Sequence, residues 1–128
     1  MTKLNVAIIG QNFMGKAHSN AWRNAPRFFA LPATPVMKVA CATNQESLQR
    51  FASNWGWQET ASDWREVVAR DDIDVVDICT PTDLHAEIAV AAAANGKHIF
   101  CEKPIAIDSA EARAMLSAAQ AAGVTHYL

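Results

Sequence analysis

The stretch Lys3-Leu4-Asn5-Val6-Ala7-Ile8-Ile9-Gly10-Gln11-Asn12-Phe13-Met14-Gly15 decides the fold of this chain. Residues 3–9 form an apolar run typical of a buried strand, and residues 16–24 continue after the turn as a helix. In this order the first glycine allows a tight turn, the last allows close helix packing, and the free N–H groups of the new helix face a pyrophosphate. The stretch therefore predicts a dinucleotide site along Gly10, Asn12, Phe13, Met14 and Gly15.

Asn12 stands where the usual pattern has a second glycine. A side chain there hinders the approach of the backbone to phosphates, although asparagine tolerates positive φ and its amide can donate a hydrogen bond. A fingerprint with one glycine missing is equally compatible with a structural strand-turn-helix corner. Both interpretations stay open on this motif alone.

The rest of the chain alternates strands and helices without a repeat or a linker. An irregular, proline-rich connection is expected over residues 25–35, where it carries Phe28-Phe29. Six strands joined by helices predict a Rossmann-type, doubly wound α/β fold with a parallel sheet in the order 3-2-1-4-5-6 and a ligand crevice between the first and fourth strands. The later strands are predicted at residues 36–42, 58–60, 73–79, 97–101 and 124–128, and the later helices at residues 46–54, 63–69, 84–95 and 109–122.

Length and composition predict one domain over residues 1–128. A chain of 128 residues can bury a single core, and 51% hydrophobic residues suit a sheet covered on both faces. A net charge of -2 without a basic stripe argues against nucleic acid as a partner. No apolar run approaches the length of a membrane span.

Three cysteines, Cys41, Cys79 and Cys101, lie near the ends of predicted strands. Their odd number and their spacing fit neither a disulfide framework nor a metal site, so no metal is expected. Reduced thiols and an N-terminus that enters a strand at once, with no room for a signal peptide, predict a cytoplasmic protein.

A Glu-Lys pair follows the predicted fifth strand, in the segment Cys101-Glu102-Lys103-Pro104-Ile105. Ligands of open α/β sheets bind at the carboxyl ends of strands. A lysine there can bind an anion or a hydroxyl group, or pass a proton if its pKa is lowered. The alternative is a solvated pair that caps the strand.

Three segments together resemble the N-terminal half of the glucose-fructose oxidoreductase / inositol dehydrogenase (Gfo/Idh/MocA) family of NAD(P)-dependent dehydrogenases, over essentially the whole chain. They are Gly10 to His18, Asp74 to Pro81 with His85 four residues on, and Gly96 to Pro104. The resemblance implies oxidation of a secondary hydroxyl group of a sugar or cyclitol by hydride transfer to nicotinamide.

The resemblance also implies roles for individual residues. Lys103 would bind the reacting hydroxyl group as the catalytic residue, and Glu102 would lie beside the nicotinamide ribose. Thr80 and Pro81 would form the nicotinamide side of the crevice. His85 would lie near the cofactor, with a purely structural role as the equal alternative.

In that family the substrate pocket and an Asp-x-x-x-His motif lie in a C-terminal domain after the dinucleotide fold. We therefore expect this chain to be truncated in or after its sixth strand, with the substrate domain absent, and to be inactive alone. A stand-alone, non-catalytic dinucleotide-binding or sensor module is the alternative. A methyltransferase is a weaker alternative, because it would need an acidic residue after the second strand.

The adenosine corner after the second strand is Cys41-Ala42-Thr43-Asn44. An acidic residue usually stands there in NAD-preferring domains. Its absence permits NADP as well as NAD and slightly favours NADP, with Thr43 and Asn44 as donors to a 2′-phosphate. Thr43 is alternatively only a helix cap, paired with Glu46 in a capping box.

Three further expectations concern side chains outside these motifs. His18 is expected to be a packed or surface histidine, and Trp55, Trp57 and Trp64 to serve packing. Phe28-Phe29 is expected to dock the missing domain, with ordinary core packing or a cover over the cofactor as the alternatives. Exposed apolar surface there, and an unfinished sheet edge after Leu128, predict self-association.

Overall fold

A computed structural model describes all residues 1–128 as one sheet of six parallel strands with helices on both faces. The strands are β1 (Thr2–Ile9), β2 (Ala33–Cys41), β3 (Glu59–Ala61), β4 (Val75–Ile78), β5 (His98–Cys101) and β6 (His126–Tyr127). The helices are α1 (Phe13–Phe28), α2 (Gln45–Trp55), α3 (Trp64–Val68), α4 (His85–Ala94) and α5 (Ser109–Ala122), and a 3₁₀ turn covers Thr82–Leu84. No helix has the length and apolar character needed to cross a membrane.

The strand order β3-β2-β1-β4-β5-β6 confirms the predicted Rossmann topology. β1 lies between β2 and β4. The sheet is extended on one side of β1 by β2 and β3, and on the other side by β4, β5 and β6, so the strand order reverses at β1. The last residue of β1, Ile9, is level with Cys41 of β2 and Ile78 of β4. The carboxyl ends of these three strands therefore open onto one crevice.

Successive side chains of β1 point to opposite faces of the sheet and so contribute to two separate parts of the core. Ala7 and Ile9 belong to the apolar layer beneath α3, α4 and α5, whereas Val6 and Ile8 belong to the layer beneath α1 and α2. All four side chains are buried. Burial on both faces explains why this strand is apolar at every position from Val6 to Ile9.

The predicted irregular connection over residues 25–35 is wrong. Helix α1 continues through Pro26 to Phe28, and β2 already begins at Ala33. Pro26 is tolerated because it lies in the last turn, where it costs a single helical hydrogen bond. Pro35 is tolerated because β3 pairs only with Val39–Cys41, which leaves the start of β2 as a sheet edge.

The capping box predicted from Thr43 is also wrong. Asn44 is the N-cap of α2, and its side chain accepts a hydrogen bond from Ser47 N at 3.1 Å. Asparagine and threonine are both good caps, and which of two neighbours serves depends on where the helix packs. Asp63 and Asp108 are the N-caps of α3 and α5, and each side chain accepts a backbone hydrogen bond from the first turn of its helix.

Candidate functional site: a cleft at the carboxyl edge of the sheet

The carboxyl ends of β1, β2 and β4 border a cleft of about 460 Å³. None of its fifteen lining residues carries a formal charge. Six of the residues predicted from the sequence to bind a cofactor line it: Gly10, Asn12, Thr43, Asn44, Thr80 and Pro81. The remaining predicted residues are outside this lining: Phe13, Met14, Gly15, His85, Glu102 and Lys103.

Two glycines set the shape of the turn that enters the cleft. Gly10 has φ of 109°, and a Cβ atom on it would lie 2.4 Å from the carbonyl oxygen of Cys79. A Cβ atom on Gly15 would lie 2.4 Å from the carbonyl oxygen of Gly10. The first glycine thus permits the turn against β4, and the second permits α1 to pack on that turn.

The N-terminus of α1 is open towards the cleft. Its N-cap residue Asn12 makes no side-chain capping hydrogen bond, and the first turn contains no acidic residue. By contrast, α2, α3 and α5 have capping side chains, and the first turn of α4 contains Glu87. Unpaired N–H groups and the positive end of the helix dipole make this end suitable for an anion.

Phe13 and Met14 belong to this first turn, but their side chains do not line the cleft. The Phe13 ring is 80% exposed, and Met14 packs against the core layer under α1. Gly15 is buried under the turn. Any contact of these residues with a ligand in the cleft must come from backbone N–H groups.

The adenosine corner of the cleft is polar and uncharged. Gln11 donates from Nε2 to Ser47 Oγ at 2.8 Å, which ties the glycine turn to α2. Thr43 is exposed beside it, and Asn44 caps α2 through Oδ1, which leaves its Nδ2 group without a partner in the chain. Gln11, Ser47 and Ser62 line this corner and were not predicted. Ser62 could have been found, because it follows a strand whose carboxyl end faces the cleft.

Glu102 and Lys103 lie at the end of β5, outside the lining of the cleft. The backbone N–H of Glu102 donates to Ile78 O at 3.0 Å, which fixes the segment to the end of β4. The Lys103 side chain is exposed, and the Lys103–Pro104 peptide bond is cis. Lys103 makes no hydrogen bond or ion pair with the rest of the chain, so its ammonium group is free for a ligand.

His85 lies beneath the cleft and is not among its lining residues. The residue is 1% exposed, with Nδ1 3.0 Å from Pro104 O and Nε2 2.9 Å from Thr80 O. Both neighbours are carbonyl oxygens, so the nitrogen that carries the proton donates to one of them and places the ring between the end of β4 and the turn after β5. This placement favours a structural role for His85, and its contact with the cofactor stays a prediction.

A partly buried ionic network that the sequence did not predict joins α1, β4 and the end of β5. His18 Nδ1 lies 2.8 and 3.0 Å from the two carboxylate oxygens of Asp77, and Nε2 lies 2.7 Å from Glu102 Oε2. Trp22 Nε1 donates to Asp77 Oδ2 at 2.7 Å. His18 is thus not the ordinary packed or surface histidine that we expected.

The two carboxylates favour the charged imidazolium. Asp77 and then Glu102 raise the pKa of His18 from 6.5 to about 9, against the opposing effect of burial. Asp77 is 1% exposed within an otherwise apolar strand. A charged residue in such a strand requires a partner, and this was the one signal in the sequence for the network.

The same network brings Cys79 close to His18 and Asp77, with the three donor atoms within 4.8 Å of one another. The His18 and Asp77 atoms are already engaged with each other. Burial and the nearby Asp77 carboxylate raise the pKa of the Cys79 thiol, which disfavours the thiolate that a metal would need. Hydrogen bonding accounts for this cluster.

A known protein family matches nearly the whole chain. The model of a family described as "Oxidoreductase family, NAD-binding Rossmann fold" (GFO_IDH_MocA) matches residues 4–128. The chain belongs to this family. The family predicted from Gly10 to His18, Asp74 to Pro81 and Gly96 to Pro104 is therefore confirmed.

Several members of this oxidoreductase family are similar over nearly the whole chain. Levoglucosan dehydrogenase of Pseudarthrobacter phenanthrenivorans is 49% identical over 127 residues, which are 98% of this chain and 33% of that protein. A structure of levoglucosan dehydrogenase in complex with NADH and levoglucosan has a TM-score of 0.93 at 47% identity, over 98% of this chain and 35% of that one. An oxidoreductase domain protein of Kribbella flavida has a TM-score of 0.94 at 50% identity, over 98% and 34% of the two chains.

The chain thus spans about a third of the length of these relatives. Its strand order and its family identify it as the NAD-binding Rossmann-fold domain of this oxidoreductase family.

Proposed function

We propose that residues 1–128 bind NAD(P) along the carboxyl edge of the sheet and present the nicotinamide to a secondary hydroxyl group of a sugar or cyclitol. The observation that carries the proposal is the open N-terminus of α1, which follows a turn that only glycine fits at Gly10. Levoglucosan and NADH in the names of relatives support the class of substrate and cofactor.

The residues of the cleft fit such a cofactor. The pyrophosphate would bind the first N–H groups of α1, where the helix dipole supplies the attraction in a cleft without charged residues. Thr43, Asn44 and Ser62 would surround the adenosine ribose. Thr80 and Pro81 would contact the nicotinamide half, next to Glu102.

Lys103 is the proposed catalytic residue. Its exposed ammonium group has no partner in the chain and lies at the end of β5, so it can bind the hydroxyl group being oxidised and help to move its proton. The nicotinamide, when bound, supplies the hydride acceptor. A histidine outside residues 1–128 is the proposed proton acceptor, so these residues alone should bind the cofactor without reducing it.

Two finer expectations belong to this proposal. The slight preference for NADP stays a prediction: no carboxylate lines the adenosine corner to repel a 2′-phosphate, and no arginine or lysine attracts one. A cytoplasmic location is proposed because Cys41, Cys79 and Cys101 are all free thiols.

Calorimetric titration of the chain with NADH and with NADPH tests the proposal. We expect binding to one site with a dissociation constant in the micromolar range. Absence of heat with both cofactors at millimolar concentration would contradict the proposal. A preference for NADH of about tenfold or more, equal to about 1.4 kcal/mol, would contradict only the preference for NADP. Steady reduction of NAD(P) by this chain with a polyol would contradict the assignment of the proton acceptor.

A further inference from the structure

We propose that His18 is a positioning residue that holds Glu102 against the nicotinamide half of the cofactor and releases it when the imidazole loses a proton. The inference rests on the proposed cofactor site, and it assigns a role to a residue outside the lining of the cleft.

The partners of the His18 ring determine its protonation state. Both His18 nitrogens face carboxylates, at 2.8 Å for Asp77 and 2.7 Å for Glu102. A carboxylate accepts hydrogen bonds and cannot donate them. Both nitrogens must therefore carry protons for the observed geometry, which makes the ring a cation bridging two anions.

The two carboxylates that the His18 ring bridges differ in rigidity. Asp77 is buried on a central strand and is held by Trp22 Nε1 as well as by His18 Nδ1. Glu102 keeps 18% of its side chain exposed at the end of β5, and its carboxylate has His18 as its one hydrogen-bond partner. The ring is therefore fixed at Asp77 and acts on Glu102.

The burial of the two carboxylates determines which His18 nitrogen loses its proton. A neutral ring keeps the proton that faces the more deeply buried carboxylate, because an unpaired buried Asp77 would be the costlier outcome. The lost proton is then the one on Nε2, which places a lone pair 2.7 Å from Glu102 Oε2. Two acceptors at that distance repel each other, so the Glu102 side chain turns away.

The groups around His18 set the pH range in which the ring loses its charge. The titratable groups that face His18 are Asp77 on β4, Glu102 after β5 and Cys79 after β4. Together they keep the ring charged until the pH approaches about 9. The Cys79 thiol lies 3.3 Å from Nδ1, and its pKa is raised well beyond that range, so it stays neutral there.

The experiment compares NADH with ADP, which has the adenosine and both phosphates but no nicotinamide half. Calorimetric titrations of the chain between pH 7.5 and 10 should show NADH affinity falling about tenfold through pH 9, the loss of one charge-assisted contact, while ADP affinity stays level. In His18→Gln, NADH binding should be weak at every pH and ADP binding unchanged. His126→Gln, a histidine change on β6, is the matched control and should behave as the wild type.

Asp77→Asn keeps the shape of the network and removes the largest cause of the raised pKa. The midpoint of the NADH profile should move down by at least one pH unit in this variant, which a merely structural role would not produce. Parallel profiles for NADH and ADP, or an unmoved midpoint in Asp77→Asn, would overturn the role of His18 while leaving the cofactor site intact. Failure of the wild type to bind either ligand would overturn the proposed function itself.

Discussion

Replacing Asn12 with aspartate should change helix stability and cofactor affinity in opposite directions. Asn12 is the N-cap of α1 with extended backbone, and its side chain makes no capping hydrogen bond. Aspartate is a good cap, and its charge interacts favourably with the helix dipole. We expect Asn12→Asp to stabilise the fold by about 0.5–1 kcal/mol.

The same charge would stand beside the pyrophosphate. Two unit charges 4 Å apart interact by about 4 kcal/mol at an effective dielectric constant of about 20. Asn12 is exposed, so physiological salt and solvent should reduce the repulsion to about 2 kcal/mol, which corresponds to about thirtyfold weaker binding of NADH.

Urea unfolding and calorimetric titration measure the two effects separately. Asn20→Asp adds the same charge to an exposed position of the same helix and should leave NADH affinity within a factor of two. Asn12→Gly, which restores the usual glycine, should leave binding intact or improve it. Unchanged NADH affinity in Asn12→Asp, or an equal loss in Asn20→Asp, would refute an anion site at the start of α1.

Four further predictions concern stability, association and turnover. Gly10→Ala should cost about 2–4 kcal/mol in urea unfolding, because its Cβ atom would meet Cys79 O at 2.4 Å at a φ of 109°; a cost below 1 kcal/mol would show that the turn can move. The charge of His18 should stabilise the fold fully below pH 6.5, with the effect lost as the pH rises through about 9, and His18→Gln should flatten this part of the stability profile. Exposed Phe28-Phe29 and the open edge at β6 should drive self-association, which a monodisperse monomer in light scattering at high concentration would contradict. In a longer protein that also contains a substrate site, Lys103→Ala should lower turnover by roughly a hundredfold with cofactor affinity within a few fold, and undiminished turnover would remove Lys103 from the mechanism.

The fold could be predicted because its signals are local. The apolar run before Gly10 and the caps Asp63 and Asp108 each lie within a few residues of the element they define. The incorrect predictions concern the end of one helix and the start of another, where the local sequence allows two structures and tertiary packing determines which one forms. Helix α1 packs against the sheet and continues through Pro26. Helix α2 packs in a position where Asn44, and not Thr43, is its N-cap.

The strand-end residues of the site could be predicted from the sequence, whereas the network around His18 could not. Gly10 and Thr80 follow strands that any parallel sheet brings to one edge, so their proximity follows from the topology. The network around His18 depends on residues 59 and 84 positions away, Asp77 and Glu102. No local pattern encodes that pairing, and only the crossing of α1 over β4 and β5 creates it.

The most direct test of the cofactor site is a map of backbone amide chemical shifts recorded by NMR as NADH is added to the chain. We predict that the largest changes occur at residues 10–15, 42–44 and 80–81, with a smaller group at Glu102 and Lys103. Changes concentrated elsewhere, such as on α4 and α5, or no changes at millimolar NADH, would contradict a dinucleotide site at the carboxyl edge of the sheet.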